Sequence, residues 1–281
     1  MYMHIAVGLD GSSHAAAAKT VAVALAQRLG ATVHGIHVID TSFLEGAFIT
    51  DISGAMGFEP FLDLGTQMRS TLEELAGAIG RRFAEQCRAA GVASTFHLER
   101  AGAVSGILTG AKLADLLVVG KRGVNARLHE DLLGPTTEAL MRRSPVPVVV
   151  VPEQTADIRR PLLAYDGSPK AARALHHAAE ICRALEISLT VVTVDDKPER
   201  AKSCLDEAKR YLEPYGIQAT FRREGGEAVE QVLLGLLGEG AFDAVMLGAH
   251  GHARMVELVL GSTSQFLARK AAVPVFCVTR A

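Results

Sequence analysis

The sequence is internally duplicated, and the two copies keep their blocks in the same order. Asp10 lies 28 positions before Val38 in the first copy. Asp166 lies the same distance before Val194 in the second. Chance similarity does not preserve spacing in this way, so the chain is built from two copies of one structural unit. The paired blocks are HIAVGLDGS at 4–12 with PLLAYDGS at 161–168, LLVVGKRG at 116–123 with AVMLGAHG at 244–251, and VPVVVV at 146–151 with VPVFCV at 273–278.

Each copy has the size of an ordinary domain, and a polar segment bracketed by prolines separates them. We predict a first domain over residues 1–152 and a second over 161–281. The segment that follows the second strand spans 51 positions in the first copy and 20 in the matching part of the second. The first domain therefore carries an insertion of about 31 residues near 41–70.

Apolar runs and helical segments alternate within each copy. The runs LLVVG and VPVVVV are apolar at consecutive positions, which is typical of strands covered by helices on both faces of a parallel sheet. Residues 15–30 have helical spacing and end on Gly30, a natural helix stop. The pattern predicts an α/β fold with two doubly wound, parallel, five-stranded sheets in tandem.

Composition excludes several classes of protein. Lys and Arg number 29 against 31 Asp and Glu, so the net charge of −2 argues against a nucleic-acid coat or a partner of acidic membranes. The four cysteines are far apart and form no CxxC pair, which disfavours a disulfide framework and a cysteine zinc site. The sequence shows neither a signal-peptide pattern nor an apolar run of membrane-spanning length. We expect a cytoplasmic protein.

Two loops in each copy follow strands at the edge where parallel sheets bind ligands. In the second copy, Gly248 and Gly251 are separated by two residues, and nine residues then precede Gly261-Ser262-Thr263. Glycines let the backbone approach an anion, and the helix that Ser262 opens presents free N–H groups to a phosphate. The alternative is that the glycines only make a turn and that Ser262 only caps a helix.

With this spacing, the sequence resembles the universal stress protein family. The family's nucleotide motif is Gly, two residues, Gly, nine residues, then Gly-Ser/Thr, and residues 248–262 match it in full. The resemblance covers both copies and implies strand order 3-2-1-4-5, with ATP, with or without Mg²⁺, over strands 1 and 4. It also implies that the last strands of the two copies pair antiparallel. It implies binding residues Ala164, Asp166, Val194, Gly248, His250, Gly251, Gly261, Ser262 and Thr263 in the second copy, and Asp10, Val38, Gly120, Gly123 and Gly134 in the first.

The resemblance places Asp166 near the nucleoside, and a carboxylate there can accept hydrogen bonds from ribose hydroxyls. Asp166 could instead make the Asp-Gly-Ser turn and cap the following helix. The sequence leaves both roles open, and one residue can fill both.

The first copy departs from the motif at its phosphate end. Ten residues separate Gly123 from Gly134, and Pro135 stands where the motif has serine. Proline suits the first helical turn but has no N–H, so one phosphate donor is lost. We therefore expect weaker ATP binding in the first half, unless Thr136 and Thr137 restore the contacts.

The sequence signals no metal site and no catalytic residue. His34 and His37 face opposite sides of a strand, and His250 and His252 flank a loop glycine. The leading hypothesis is a regulatory, ATP-binding protein with protein partners, expected to form a homodimer and to bind neither nucleic acid nor membranes. The alternatives are a stress adaptor or scaffold without nucleotide and a slow ATP hydrolase.

Overall fold

The structure is a computed structural model that describes residues 2–40, 61–124, 132–249 and 261–278. The described strands form one ten-stranded sheet in the order β3-β2-β1-β4-β5-β10-β9-β6-β7-β8. The strands are β1 His4–Gly8, β2 Thr32–Ile39, β3 Ser94–Arg100, β4 Leu116–Gly120, β5 Val148–Val151, β6 Pro161–Ala164, β7 Leu189–Val194, β8 Ala219–Glu224, β9 Ala244–Gly248 and β10 Val275–Val278.

The α/β fold and its parallel strands are confirmed within each half, and so is the antiparallel pairing expected between the last strands of the two halves. The last strands of the two halves, β5 and β10, pair antiparallel, with Val149 opposite Phe276. Each of these strands would otherwise present a row of unpaired N–H and C=O groups, which their pairing satisfies. The two five-stranded halves are therefore parts of one continuous sheet.

Helices cover both faces of the sheet, as the apolar strands require. The first helix begins after Ser12, whose hydroxyl accepts from the N–H of Ala15, and ends at Gly30 with φ 65°, as its sequence predicts. The helices are α1 Ser13–Leu29, α2 Phe61–Ala89, α3 Ala103–Ala111, α4 Pro135–Arg143, α5 Pro169–Leu185, α6 Pro198–Leu212, α7 Val229–Gly238 and α8 Ser262–Lys270.

The predicted insertion near 41–70 is partly helical. Helix α2 has 29 residues, whereas α6, at the matching place in the second half, has 15. Residues 61–70 belong to α2, and 41–60 lie outside the described residues. Some of the extra length therefore extends a helix that packs on β2 and β3.

Each face of the sheet has a core that continues from one half into the other. One core contains Val149 and Phe276, and the core on the opposite face contains Leu140 and Leu267. All four cysteines are buried and free. No helix of the described part is long and apolar enough to cross a lipid bilayer.

Polar contacts also join the halves. The Arg28 guanidinium, on α1, donates to the carbonyls of Ile158 and Leu185 at 2.7 and 2.9 Å. The Tyr2 hydroxyl lies 2.5 Å from His177 Nδ1, on α5. Because burial lowers the pKa of His177, the neutral ring can accept from Tyr2 near neutral pH.

We expect acid to weaken this contact. The pKa of His177 lies below the value of about 6.5 of the unfolded chain, so the unfolded state binds more protons as the pH falls through that region. Stability is therefore lost as the pH falls through about 6.5 toward the lower pKa of His177 in the folded protein. Thermal melts should show a smaller loss for His177→Gln than for the wild type. An exposed neighbour provides the control His176→Gln, and equal losses in all three proteins would contradict this assignment.

Candidate functional site

A cleft opens at the carboxyl edge of the second half, between β6 and β9. Segments that are far apart in the sequence come together there, because parallel strands end at the same edge of a sheet. His250 and Gly251 lie outside the described residues. The other residues predicted in this half all line the cleft: Ala164, Asp166, Val194, Gly248, Gly261, Ser262 and Thr263.

One wall of the cleft is apolar, and the motif did not reveal it. Val192, on β7, and Leu247, on β9, contribute to this wall together with Val229 and Leu233 from α7. Val192 and Val194 alternate along β7, and this alternation was the available signal in the sequence. The cavity measures about 170 Å³. Pockets for small molecules are usually roughly 300–1,000 Å³, so the described walls enclose only part of such a ligand.

Asp166 makes the turn that leads from β6 into α5. Its Oδ1 accepts from the N–H of Ser168 at 3.0 Å, and Gly167 has φ +74°. The helix is capped by Ser168, whose hydroxyl accepts from the N–H of Ala171 at 3.2 Å. Asp166 is exposed, so making the turn does not prevent its carboxylate from facing a ligand.

Helix α8 points its amino end into the cleft. Gly261 is the N-cap residue, and no side chain caps the helix. The Gly261 N–H donates to the Ala249 carbonyl at 2.7 Å, which holds the start of the helix against the end of β9. The N–H groups of Ser262 and Thr263 have no partner within the helix, because the first turn of a helix leaves its donors free. This arrangement suits an anion.

Ser264, which the motif does not include, fixes α8 to β9. The Ser264 hydroxyl donates to the Gly248 carbonyl at 3.0 Å, and the Thr137 hydroxyl donates to the Gly120 carbonyl at 2.8 Å in the first half. Comparison of the two copies was the available signal, since both have a hydroxyl residue at this place. The Thr137 hydroxyl is therefore already used, which leaves Thr136 as the residue that could replace the missing phosphate donor.

Gly120 and Gly248 have a packing role that is independent of any ligand. A Cβ on Gly248 would lie 2.7 Å from the carbonyl carbon of Lys170, and a Cβ on Gly120 would lie 2.7 Å from that of His14. These glycines let the first turns of α5 and α1 approach the strands closely. Burial lowers the pKa of both the Lys170 amine and the His14 imidazole. Packing alone therefore accounts for glycine at these two predicted positions.

In the first half, the loop after β4 folds onto Asp10. One carboxylate oxygen of Asp10 accepts from the Ser12 N–H at 2.9 Å, and the other accepts from the Val124 N–H at 3.1 Å. A Cβ on Gly123 would lie 2.8 Å from that second oxygen, so glycine permits the close approach. Both oxygens of Asp10 are thus engaged by the protein itself.

Gly134 occupies the place in the first half that Gly261 has in the second, but the helix that follows it lacks one N–H donor. Gly134 is the N-cap of α4, and its N–H donates to the Lys121 carbonyl at 3.0 Å. The first residue of α4 is Pro135, which has no N–H to offer. Val38 packs against α3, since a Cβ on Gly106 would lie 2.8 Å from it.

Comparison with known proteins places the chain in a family. The model of the universal stress protein family matches twice, at residues 1–152 and 158–279. The chain belongs to the universal stress protein family. Because each half matches separately, it is a tandem member.

Curated relatives and solved structures agree with this assignment. Universal stress protein Slr1230 of Synechocystis is 29% identical in an alignment of 277 positions that covers 95% of this chain and 96% of that protein. A universal stress protein of Mycolicibacterium smegmatis is 31% identical in an alignment of 193 positions that covers 61% of this chain and 64% of that protein. The crystal structure of a universal stress protein from Archaeoglobus fulgidus shares the fold, with a TM-score of 0.74, 20% identity and coverage of 99% of this chain and 98% of that one.

Proposed function

We propose that this universal stress protein binds ATP, or a close adenine nucleotide, mainly in its second half, and that it acts as a regulatory protein. The observation that carries the proposal is the cleft itself, in which an apolar wall, an exposed carboxylate and an open helix end meet. No single loop provides all three features, and together they fit the three parts of a nucleotide.

Each part of the cleft has a suitable chemical role. The wall around Val192 and Leu247 offers apolar contact to a base. The exposed carboxylate of Asp166 can accept from ribose hydroxyls. The free N–H groups at the start of α8, with the hydroxyls of Ser262 and Thr263, can donate to phosphate oxygens, with or without Mg²⁺.

Two measurements test the proposal. Mass analysis of small molecules released from freshly purified, denatured protein should find an adenine nucleotide. Calorimetric titration should show that Gly261→Leu loses ATP binding, because the new side chain stands where a phosphate would approach. Gly261 has φ −62°, which any residue can adopt, so the variant is expected to fold. If Gly261→Leu binds ATP as the wild type does, the site is misassigned.

We expect hydrolysis to be slow at most. Phosphoryl transfer needs a positioned metal ion and a group that orients the attacking water. Asp166 is the only carboxylate that lines the described part of the cleft, and one of its oxygens is committed to the turn. We therefore predict less than about one turnover per second in a phosphate-release assay. Faster release that is lost in Gly261→Leu would make the protein an ATPase.

We also propose that two chains associate. We expect a homodimer, but β5 and β10 already pair with each other within one chain. A dimer must therefore use a different surface. Light scattering at several protein concentrations tests the expectation, and a monomeric mass throughout would contradict it.

A further inference from the structure

A row of histidines crosses strands β1, β2 and β3 of the first half, outside the residues that line the nucleotide cleft. His4 begins β1, and His34 lies near the start of β2. His97 lies on the outer strand β3, two residues after Thr95. In the register, Ala6 pairs with His34, and His34 pairs with Thr95. His4 lies two residues from Ala6 and His97 lies two residues from Thr95, so the three imidazoles are diagonal neighbours on one face of the sheet. His4 and His97 are exposed and His34 is partly exposed, so solutes can reach the row.

The fold does not require these imidazoles. The second half repeats the same three strands, and its register aligns Thr190 with His34 and Arg222 with His97. The duplication aligns Arg160 with His4. None of these residues has an imidazole, so the histidine row is a property of the first half alone.

We propose that His4 and His34 form a binding site for a divalent transition-metal ion. His4 Nδ1 and His34 Nε2 lie 3.0 Å apart. Two nitrogens at this separation, each about 2.0–2.1 Å from a shared zinc ion, subtend an angle of about 95° at the metal. That angle lies between those of octahedral and tetrahedral coordination, so the pair needs little movement to chelate an ion.

A hydrogen bond from β3 prepares His34 for this role. His34 Nδ1 lies 2.8 Å from the Thr95 hydroxyl. When Nδ1 carries the proton and donates to Thr95, the lone pair of Nε2 faces His4. The Thr95 hydroxyl can then donate to His97 Nε2, which lies 3.0 Å away. Such outer hydrogen bonds fix the tautomer and orientation of a metal-binding histidine.

The ligand set determines which metals are expected. The described residues contain no group of three or more His, Cys, Asp or Glu side chains arranged to hold a metal, so water must complete the coordination of this two-imidazole site. Imidazole suits Cu²⁺, Ni²⁺ and Zn²⁺, with Cu²⁺ bound most tightly, whereas Mg²⁺ prefers oxygen ligands. We therefore expect Cu²⁺ to bind more tightly than Ni²⁺ or Zn²⁺, and Mg²⁺ not to bind.

Calorimetric titration of the full chain with Cu²⁺, Ni²⁺ and Zn²⁺ tests the site. His34→Thr introduces the residue that the second half has at this place, and it should abolish the binding. Thr95→Val keeps both ligands but removes the outer hydrogen bond, and should weaken binding by about 10–100-fold. His176→Gln removes an exposed imidazole on α5 and should bind as the wild type does.

The titrations distinguish a metal site from a simple contact between two imidazoles. If the wild type binds none of the three ions, the nitrogen contact is an ordinary hydrogen bond and the proposal is wrong. Binding that survives in His34→Thr would place the metal elsewhere in the chain and would also overturn the proposal. Thermal melts check that His34→Thr folds, and His4→Gln, at an exposed strand end, provides a second test. Gly261→Leu should keep the metal affinity, which separates this site from the nucleotide site.

Discussion

Phe276→Ala is expected to lower the free energy of unfolding by about 3–5 kcal/mol. Phe276 is only 2% exposed, and it lies on β10 opposite Val149 of β5, where the two halves meet. Its loss leaves a cavity in the core that continues from one half into the other. Because the sheet is continuous, we expect one unfolding transition in urea that shifts as a whole.

The control for this substitution is the same change at a less buried phenylalanine. Phe221 is partly buried on the outer strand β8, so Phe221→Ala should cost less. Two separate transitions in Phe276→Ala, with the first half unfolding as in the wild type, would show that the halves are independent. In that case the pairing of β5 with β10 would contribute little to stability.

Ser262→Pro is expected to weaken ATP binding by about ten- to a hundredfold. The proline removes one N–H donor at the start of α8, and a lost hydrogen bond to a charged group is worth about 1.5–3 kcal/mol. The first half already has proline at this position, with Pro135 as the first residue of α4, so the fold accepts it. Calorimetric titration with ATP measures the change, with thermal melts to verify folding.

The reciprocal substitution tests whether the donor alone explains the difference between the halves. Pro135→Ser restores the N–H, but the N–H groups of Ser12 and Val124 still occupy the two oxygens of Asp10. We therefore expect Pro135→Ser to leave the first half a weaker site than the second. Two sites of equal affinity in the wild type would refute the asymmetry, and equal sites in Pro135→Ser would show that Asp10 is free to bind.

The duplication and its motif were enough to predict seven of the fifteen residues that line the second-half cleft. Periodic apolar runs report which residues are buried, and a duplicated pattern reports which elements recur, so Gly30 and the α/β order could be read directly. The apolar wall around Val229 and Leu233 was not predicted, because nothing in the spacing of a helix tells which neighbouring strand it covers.

The role of individual polar groups was also beyond the motif. Thr137 was one of two residues that could have restored the lost phosphate contacts, but its hydroxyl is bound to the Gly120 carbonyl. Asp10 accepts from the N–H of Val124, which lies 114 residues away in the chain. A motif gives residue types and spacings, and these do not record which N–H meets which carboxylate.

The sequence by itself determined the repeated unit, its alternating strands and helices, and the positions where a phosphate could be held, because these depend on local propensity and on periodicity. Only the tertiary structure decided the register in which β5 and β10 join the halves, and the hydrogen bond from the Val124 N–H to Asp10. It alone also brought His4 within 3.0 Å of His34. The physical reason is that strand register and loop closure join residues far apart in the chain, and such contacts are fixed by the whole fold rather than by any local pattern.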